Sequence, residues 1–179
     1  MAKLKVTNPA TGKVVATLEA DGAREVRDKY RIARGAQPAW AKVPLKKKLA
    51  MIAAFRERVV ASTEALAKVL TTEVGKPISQ SRNELRGLLP RLDFFLAEAA
   101  RALRPERVSK PGEAVEERVS REPLGVVANI SAWNYPWFVG ANVFVPALLD
   151  GRPLLEAFVA ACEFRRRTGQ PSPVLARAA

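Results

Sequence analysis

The alternation of apolar and polar residues at the start of the chain predicts a β-hairpin over residues 3–18. Leu4 and Val6 precede residues 7–12, and Val14 follows them. The central segment contains Asn-Pro and Thr-Gly, which favour turns, whereas its flanks are rich in residues that favour strands. The chain is therefore expected to open with two antiparallel strands.

Four stretches with apolar residues three or four positions apart predict consecutive α-helices after the hairpin. Asp21 can cap the first helix, and Pro38 predicts its end. Pro44 suits the first turn of the second helix, and Ser62 can cap the third. The sequence Gly-Lys-Pro at residues 75–77 predicts the end of that third helix.

The fourth helix, predicted over residues 79–103, has the most regular apolar stripe in the chain. Pro90 lies inside it and predicts a kink, because proline lacks the N–H that an interior helical position needs. Four helices without an intervening strand predict a helical layer that covers a sheet further along the chain. The stripe consists of Leu85, Leu88, Leu89, Leu92, Phe95, Leu96, Ala99 and Leu103.

The second half of the chain predicts strands rather than more of the helical layer. Residues 104–114, rich in Pro, Gly and charge, predict a loop, and residues 115–122 alternate enough to predict a strand. Residues 125–130 are continuously apolar at their centre, which is typical of a strand buried on both faces. Residues 131–136 then predict a tight turn, and residues 137–149 a helix.

Composition limits the chemistry available to the chain. With 179 residues, 48% of them hydrophobic and 27% charged, it has the composition of one globular domain or of one domain and a fragment. There is no histidine and one cysteine, Cys162. These counts exclude Ser-His-Asp and Cys-His catalysis, histidine metal sites and an intrachain disulfide. Neither glycine-rich phosphate-loop motif occurs.

The net charge of +12 makes nucleic acid or an acidic membrane a possible partner. The charges are interspersed, however, and the longest basic runs, residues 46–48 and 165–167, have three residues each. A soluble basic surface is therefore favoured over a nucleic-acid interface. The longest apolar stretch, residues 138–149, is too short to span a bilayer, and no signal peptide is recognised, so we expect a cytoplasmic protein without a membrane partner.

One segment carries a family resemblance. Residues 123–151 read P-L-G-V-V-A-N-I-S-A-W-N-Y-P-W-F-V-G-A-N-V-F-V-P-A-L-L-D-G. This run resembles the NAD(P)-dependent aldehyde dehydrogenase superfamily, in which a P-x-G-V-V strand leads to a W-N-[FY]-P turn and a helix ending in P-A-L-x-x-G. N-P-A-T-G-K-V in the hairpin and E-x-G-K-P at residues 73–77 match the family too. The resemblance covers residues 4–151.

The resemblance implies an α/β fold, namely the N-terminal part of an aldehyde dehydrogenase: a helical layer, an opening β-hairpin and the first strand of an incomplete parallel cofactor-binding sheet. It implies NAD or NADP as cofactor and an aldehyde as substrate. The family's catalytic cysteine attacks the aldehyde, and the side-chain amide of Asn134 would donate to the resulting oxyanion. The residues implied to border the nicotinamide and its phosphates are Ile130, Ser131, Ala132 and Trp133.

Each of these residues also has a plainer interpretation. Asn134 could simply shape a turn, because Asn hydrogen-bonds to its own backbone there. Trp133 and Trp137 could be core aromatics. The helical glutamates are expected on solvated faces, with no pair suited to acid–base work: Glu73, Glu84 and Glu98.

The family pattern stops after Gly151. Relatives continue there with an apolar strand and Lys-Pro-[SA]-Glu, whose lysine binds the adenosine ribose, whereas residues 152–179 are rich in Arg, Ala and Pro. Cys162 lacks the Gly-rich setting of the family nucleophile and is expected to be incidental. We therefore expect a truncated or frame-shifted product with a partial cofactor-binding domain at residues 1–151 and a divergent tail at residues 152–179.

Three classes of function follow. The first is an N-terminal aldehyde dehydrogenase fragment, inactive alone because the catalytic Cys and Glu are missing, and a poor binder of the cofactor. The second is an interaction protein that forms a homo-oligomer or pairs with a homologue or with a separately encoded remainder. The third is a basic nucleic-acid-binding protein, suggested only by charge.

Overall fold

The computed structural model describes residues 3–123 and 125–151, and the backbone of residues 154 and 155. The structure contains both helices and strands, as the predicted α/β class requires, and its strands pair into three two-stranded sheets. In chain order they are β1 (Lys3–Thr7), β2 (Val14–Glu19), α1 (Ala23–Ala41), α2 (Leu45–Ala61), α3 (Thr63–Val74), α4 (Ile78–Ala102), β3 (Glu106–Arg107), β4 (Arg118–Val119), β5 (Val127–Ala128), α5 (Pro136–Asp150) and β6 (Leu154–Leu155).

The predicted opening hairpin is confirmed. β1 and β2 are antiparallel, with Leu4 opposite Leu18. The side chain of Asn8 shapes the turn, since its Oδ1 accepts hydrogen bonds from the backbone N–H groups of Ala10 and Thr11 at 2.9 and 3.3 Å. An Asn side chain that bonds to the backbone two residues on is a common way to fix a turn.

The first helix differs from its prediction at both ends. The residue before it is Gly22, whose N–H donates to the Glu25 carboxylate at 2.9 Å, while Asp21 pairs with Lys29 instead. The helix also continues past Pro38 to Ala41, so the predicted break is wrong. We attribute the continuation to docking of the last turn, where the Trp40 indole N–H donates to the Leu148 carbonyl of α5 at 3.0 Å.

The core lies between α2, α3, α4 and α5, with α4 at its centre. The predicted stripe of α4 is confirmed at Leu85, Leu88 and Leu92, which are completely buried against apolar residues of α5 such as Val145. The helix runs through Pro90, as predicted; the kink there stays a prediction. This packing places the first turn of α5 against the first half of α4.

The helical layer's other signals are mostly confirmed. Pro44 immediately precedes α2, and α3 ends at Gly75 in the left-handed conformation, with φ at +80°. Ser62 precedes α3, but its side chain does not cap that helix. The hydroxyl of Thr63 instead donates back to the Val59 carbonyl at 2.9 Å.

The predicted strands are shorter than expected. The loop predicted at residues 104–114 contains β3, and the strand predicted at residues 115–122 forms only at β4, its antiparallel partner. The prediction of a strand at residues 125–130 buried on both faces is also wrong, because only β5 forms, with Val127 half-buried and Ala128 exposed. Within the described ranges β5 pairs with one strand, β6, so no described strand pairs with its other edge.

The expectation that the family pattern stops after Gly151 is corrected by β6. Leu154 and Leu155 pair in parallel with Val127 and Ala128, so the strand predicted to be missing beside β5 is present over two residues. The expected division into residues 1–151 and a divergent tail stays a prediction. Cys162 and the rest of residues 156–179 lie outside the described residues.

Candidate functional site

The candidate site is the turn that joins β5 to α5, as predicted from residues 131–136. Two polar side chains fold this turn against the start of α5. The Asn129 amide donates to the Gly140 carbonyl at 3.1 Å, and the Ser131 hydroxyl donates to the Pro136 carbonyl at 3.0 Å. A Cβ on Gly140 would lie 3.4 Å from the Ser131 Oγ, an ordinary packing distance, so the turn lies directly against α5 at this position.

Glu84 of α4 caps the first turn of α5. Its Oε1 accepts hydrogen bonds from the backbone N–H groups of Trp137 and Phe138 at 2.8 and 3.2 Å. The first N–H groups of a helix have no partner within the helix, and negative charge is favourable beside them. Pro136 at the start of α5 has no N–H of its own to satisfy.

The prediction that Glu84 lies on a solvated face is therefore wrong. Its side chain is completely buried, because Glu84 lies one turn before Leu88 on the buried side of α4. That spacing was visible in the sequence and could have indicated burial. Glu73 is exposed, as predicted, and Glu98 is half-buried beside Arg101.

Lys76, in the loop between α3 and α4, joins Glu84 to the turn. Its Nζ lies 2.6 Å from the Glu84 Oε2 and 2.6 Å from the Asn134 carbonyl oxygen. It also lies 4.0 Å from the centre of the Tyr135 ring, within the range of a cation–π interaction. The Lys76 side chain is 8% exposed, so both charges of the pair are shielded from water.

The structure keeps the predicted site residues on one short segment but gives them different surroundings. Ser131 is buried and Ala132 is half-buried. Ile130 and Trp133 are 40% and 52% exposed, so Trp133 is not a core aromatic, whereas Trp137 is half-buried and packs against the core. Ile130 and Trp133 therefore offer apolar surface to a planar ligand.

Asn134 is exposed, and its backbone carbonyl is held by Lys76. Among the described residues its side-chain amide makes no hydrogen bond, so the amide does not hold the turn in shape. An amide N–H can donate to a negatively charged oxygen without titrating. The turn can thus present one neutral donor beside an apolar rim. The described residues contain no cluster of acidic, Cys or His side chains that could hold a metal ion.

A separate cleft of about 700 Å³ has Val127 of β5 in its lining and does not include the turn. Residues of α5 and the end of α4 line it, and its lining includes three charged residues, Arg121, Glu122 and Asp150. The apolar residues that line the cleft include Ala102, Leu103, Val127, Val143, Pro146 and Ala147.

Among the helices of the described ranges, none combines the length and the apolar composition that a transmembrane span requires.

Comparison with known proteins gives a consistent result. Residues 1–154 match the model of the aldehyde dehydrogenase family. Glutarate-semialdehyde dehydrogenase of Pseudomonas putida is 32% identical over 182 residues, covering 96% of this chain and 37% of the relative. 3,6-Anhydro-alpha-L-galactose dehydrogenase of Streptomyces coelicolor is 32% identical over 152 residues, covering 85% of this chain and 30% of the relative.

Solved structures agree with the sequence comparisons. An aldehyde dehydrogenase from Brucella melitensis biovar abortus superimposes with a TM-score of 0.79 at 27% identity, covering 86% of this chain and 32% of that one. NADP-dependent glyceraldehyde-3-phosphate dehydrogenase from Bacillus halodurans, solved with NADP, gives a TM-score of 0.78 at 26% identity, covering 86% and 33%. The chain thus spans about a third of the length of these proteins. Because the family match covers most of its residues and the fold agrees, this chain belongs to the aldehyde dehydrogenase family.

Proposed function

We propose that the described residues supply the oxyanion donor and one wall of the nicotinamide site of an NAD(P)-dependent aldehyde dehydrogenase. The observation that carries the proposal is the exposed side-chain amide of Asn134, which has no partner among the described residues, on a turn whose backbone is held by the buried Lys76. A donor on a fixed backbone costs little reorganisation when charge develops on a bound oxygen. When bound, NAD or NADP would accept the hydride that leaves the aldehyde carbon.

We assign a separate role in binding or catalysis to each residue of the turn. The Asn134 amide would donate to the aldehyde oxygen as it becomes negative, and it stays neutral at every working pH. The exposed faces of Ile130 and Trp133 would pack against the nicotinamide ring. Ser131 and Ala132 would border the cofactor through their backbone, since the Ser131 hydroxyl already donates to Pro136.

We further propose that the 179-residue chain alone does not turn over aldehydes. The reaction needs a thiolate to form the covalent adduct and a base to activate water. Among the described residues there is no cysteine, and the Glu84 carboxylate is already bonded to Lys76 and to the first turn of α5. An oxyanion donor by itself leaves no group to attack the aldehyde.

A second candidate function is pairing, and one observation favours it. The cleft beside β5 is lined mainly by apolar side chains, and the chain spans about a third of its relatives' length. Apolar surface lining a cleft, and a strand with no described partner on one edge, are both typical of an interaction site. The occupant we propose is a segment of an aldehyde dehydrogenase-like chain, either a homologue or a separately encoded remainder.

Saturation-transfer NMR with NAD and NADP tests the proposed cofactor wall without requiring turnover. We expect magnetisation transfer from the protein to the nicotinamide protons, reduced several-fold by Trp133→Ala and little changed by Asn134→Ala. Tyr30→Ala is the matched control, because Tyr30 is 48% exposed on α1, outside the turn. Equal loss from Trp133→Ala and Tyr30→Ala, or transfer to neither nucleotide, would contradict the proposal.

The oxyanion role requires the missing part of the enzyme. The test is a chimera in which residues 1–151 replace the matching segment of the Pseudomonas putida enzyme. In an active chimera, Asn134→Ala should lower kcat about 10²–10³-fold with a small change in KM, the size of effect known for loss of one oxyanion donor. An active chimera whose kcat is unchanged by Asn134→Ala would exclude the role.

A further inference from the structure

We propose that Lys76 and Glu84 form a buried positioning device that sets the geometry of the Asn134 turn. The proposal rests on the proposed role of Asn134, because the device matters for function only if that amide binds a reacting oxygen. Neither residue faces the exposed rim of the turn: the Glu84 side chain is completely buried and that of Lys76 is 8% exposed. Both therefore act through the turn rather than on a substrate.

Glu84 fixes the side of the turn that enters α5. One carboxylate oxygen accepts from the N–H groups of Trp137 and Phe138, and the other accepts from Lys76. Tyr135, the residue that precedes α5, provides no side-chain cap of its own. The start of α5 is thus capped from α4, by a residue 53 positions earlier in the chain.

Lys76 fixes the other side of the turn. Its ammonium donates to the Asn134 carbonyl at 2.6 Å and lies 4.0 Å from the centre of the Tyr135 ring. The peptide that carries Asn134 and the first turn of α5 are therefore clamped by two charges that also bond to each other. The clamp starts from the loop before α4 and from α4 itself, the most buried helix of the core.

The energetics indicate a role in geometry more than in global stability. The desolvation of a buried ion pair offsets much of its attraction, so such pairs contribute little net stability when compared with apolar residues of similar size. The packing of α5 on α4 rests on other residues, including Leu88, Leu92 and Val145. Replacing both charges with apolar side chains should leave this core folded and release the turn.

The test compares two double variants of the full chain. Lys76→Met/Glu84→Leu removes the clamp and leaves no unpaired buried charge. Glu64→Gln/Arg82→Met is the matched control, because that pair also joins neighbouring segments of the helical layer but is largely exposed. The measurement is backbone amide hydrogen exchange by NMR, together with the chemical shift of the Asn134 side-chain amide.

We expect exchange at Trp137 and Phe138 to accelerate roughly ten- to hundredfold in the clamp variant, the range for losing a hydrogen bond to a charged acceptor. The Asn134 amide signal should shift, and the amides of Leu88 and Leu92 should exchange as in the unaltered chain. The control should change none of these. Equal acceleration at the turn and the core, or no change at the turn, would overturn the proposal.

A failure of the clamp variant to fold, and a failure of the proposed function, can each be distinguished from a failure of the clamp proposal. If the clamp variant does not fold, Glu84→Gln decides, since its amide oxygen can still accept from Trp137 but carries no charge. Intermediate exchange at Trp137 with an unchanged core supports the proposal, and wild-type exchange there overturns it. All these readouts need no nucleotide, so a failure of NAD and NADP to bind would count against the proposed function and leave the clamp tested on its own.

Discussion

Lys48 lies between the ends of α1 and α5 with only 5% of its surface exposed. Its Nζ reaches the Ala41 carbonyl at 3.5 Å, a weak contact compared with the bonds of Lys76. Burial lowers the pKa of the Lys48 ammonium below its usual value, and the charge of Asp150 offsets part of that shift. The two buried lysines thus differ in their partners: the Lys76 ammonium contacts a buried carboxylate, and the Lys48 ammonium does not.

This difference predicts a pH dependence of stability. Because the folded-state pKa of Lys48 is below the unfolded value of about 10.4, the unfolded chain binds more protons between the two values. The stability of the protein should therefore rise with pH in that window, and the full cost of burying the Lys48 ammonium should be present below its folded-state pKa. Lys48→Met should remove the rise and increase the free energy of unfolding at pH 7.

Urea unfolding at several pH values between 7 and 10 measures this effect. Lys47→Met is the control, because Lys47 is the neighbouring residue of α2 and is exposed. A destabilised Lys48→Met chain with an unaltered pH slope would show that the ammonium is better solvated or paired than the Ala41 contact indicates.

At the scale of elements, one glycine couples the hairpin to the helical layer. Gly75 ends α3 with φ at +80°, a conformation that other residues adopt at a cost. A Cβ at this position would lie 2.3 Å from the Cγ of Pro9 in the hairpin turn. The Asn-Pro of the turn and the Gly of the Gly-Lys-Pro sequence are thus packed together, although 66 positions separate them.

Gly75→Ala should therefore destabilise the protein through backbone strain and through a clash with Pro9. We expect a loss of more than the ~1–2 kcal/mol typical of a left-handed residue other than glycine. Gly12→Ala isolates the strain alone, because Gly12 has φ at +70° with nothing within 4 Å of the added Cβ.

A double-mutant cycle measured by urea unfolding separates the two effects. Adding Pro9→Ala to Gly75→Ala should recover the part that comes from the clash and none of the strain. Equal losses for Gly12→Ala and Gly75→Ala, with additive behaviour of the Pro9 variant, would mean that the hairpin is not held against α3.

At the scale of the whole molecule, the packed region extends at least as far as β6, the second strand of the parallel pair. β6 pairs with β5 and also packs near α1 and α5, although the family pattern was expected to stop at Gly151. The family match likewise continues to residue 154. The position at which a truncation begins to matter is therefore expected to lie after β6 and not before it.

Two truncations test this boundary. Removal of residues 156–179 should leave the melting temperature within about 2 °C of the full chain, whereas removal of residues 152–179 should lower it by about 2–4 °C or more, the shift that ~1 kcal/mol gives in a chain of this size. Thermal melts of the three chains at equal concentration measure the effect. A large drop from the shorter truncation would show that residues 156–179 are a structural part of the fold.

Local signals were sufficient for much of this fold. The hairpin, the order of the helices, the end of α3 at Gly75 and the turn before α5 depend on residues close in sequence, such as Asn8, whose side chain bonds to the turn that it occupies. Motifs at residues 123–151 likewise identified the family, because a run of ordered residue types is a property of sequence alone. The residues of the turn could be named for the same reason.

Tertiary structure decided which of these residues are buried and what holds them. The position of Glu84 on the apolar side of α4 was visible in the sequence, but the partners that satisfy its buried carboxylate, two N–H groups of α5, were not. Pro38 does not end α1, since the last turn is docked on α5. β5 stays short and partly exposed because only β6 pairs with it among the described residues. Each outcome depends on a contact between residues far apart in the chain, which no local pattern records.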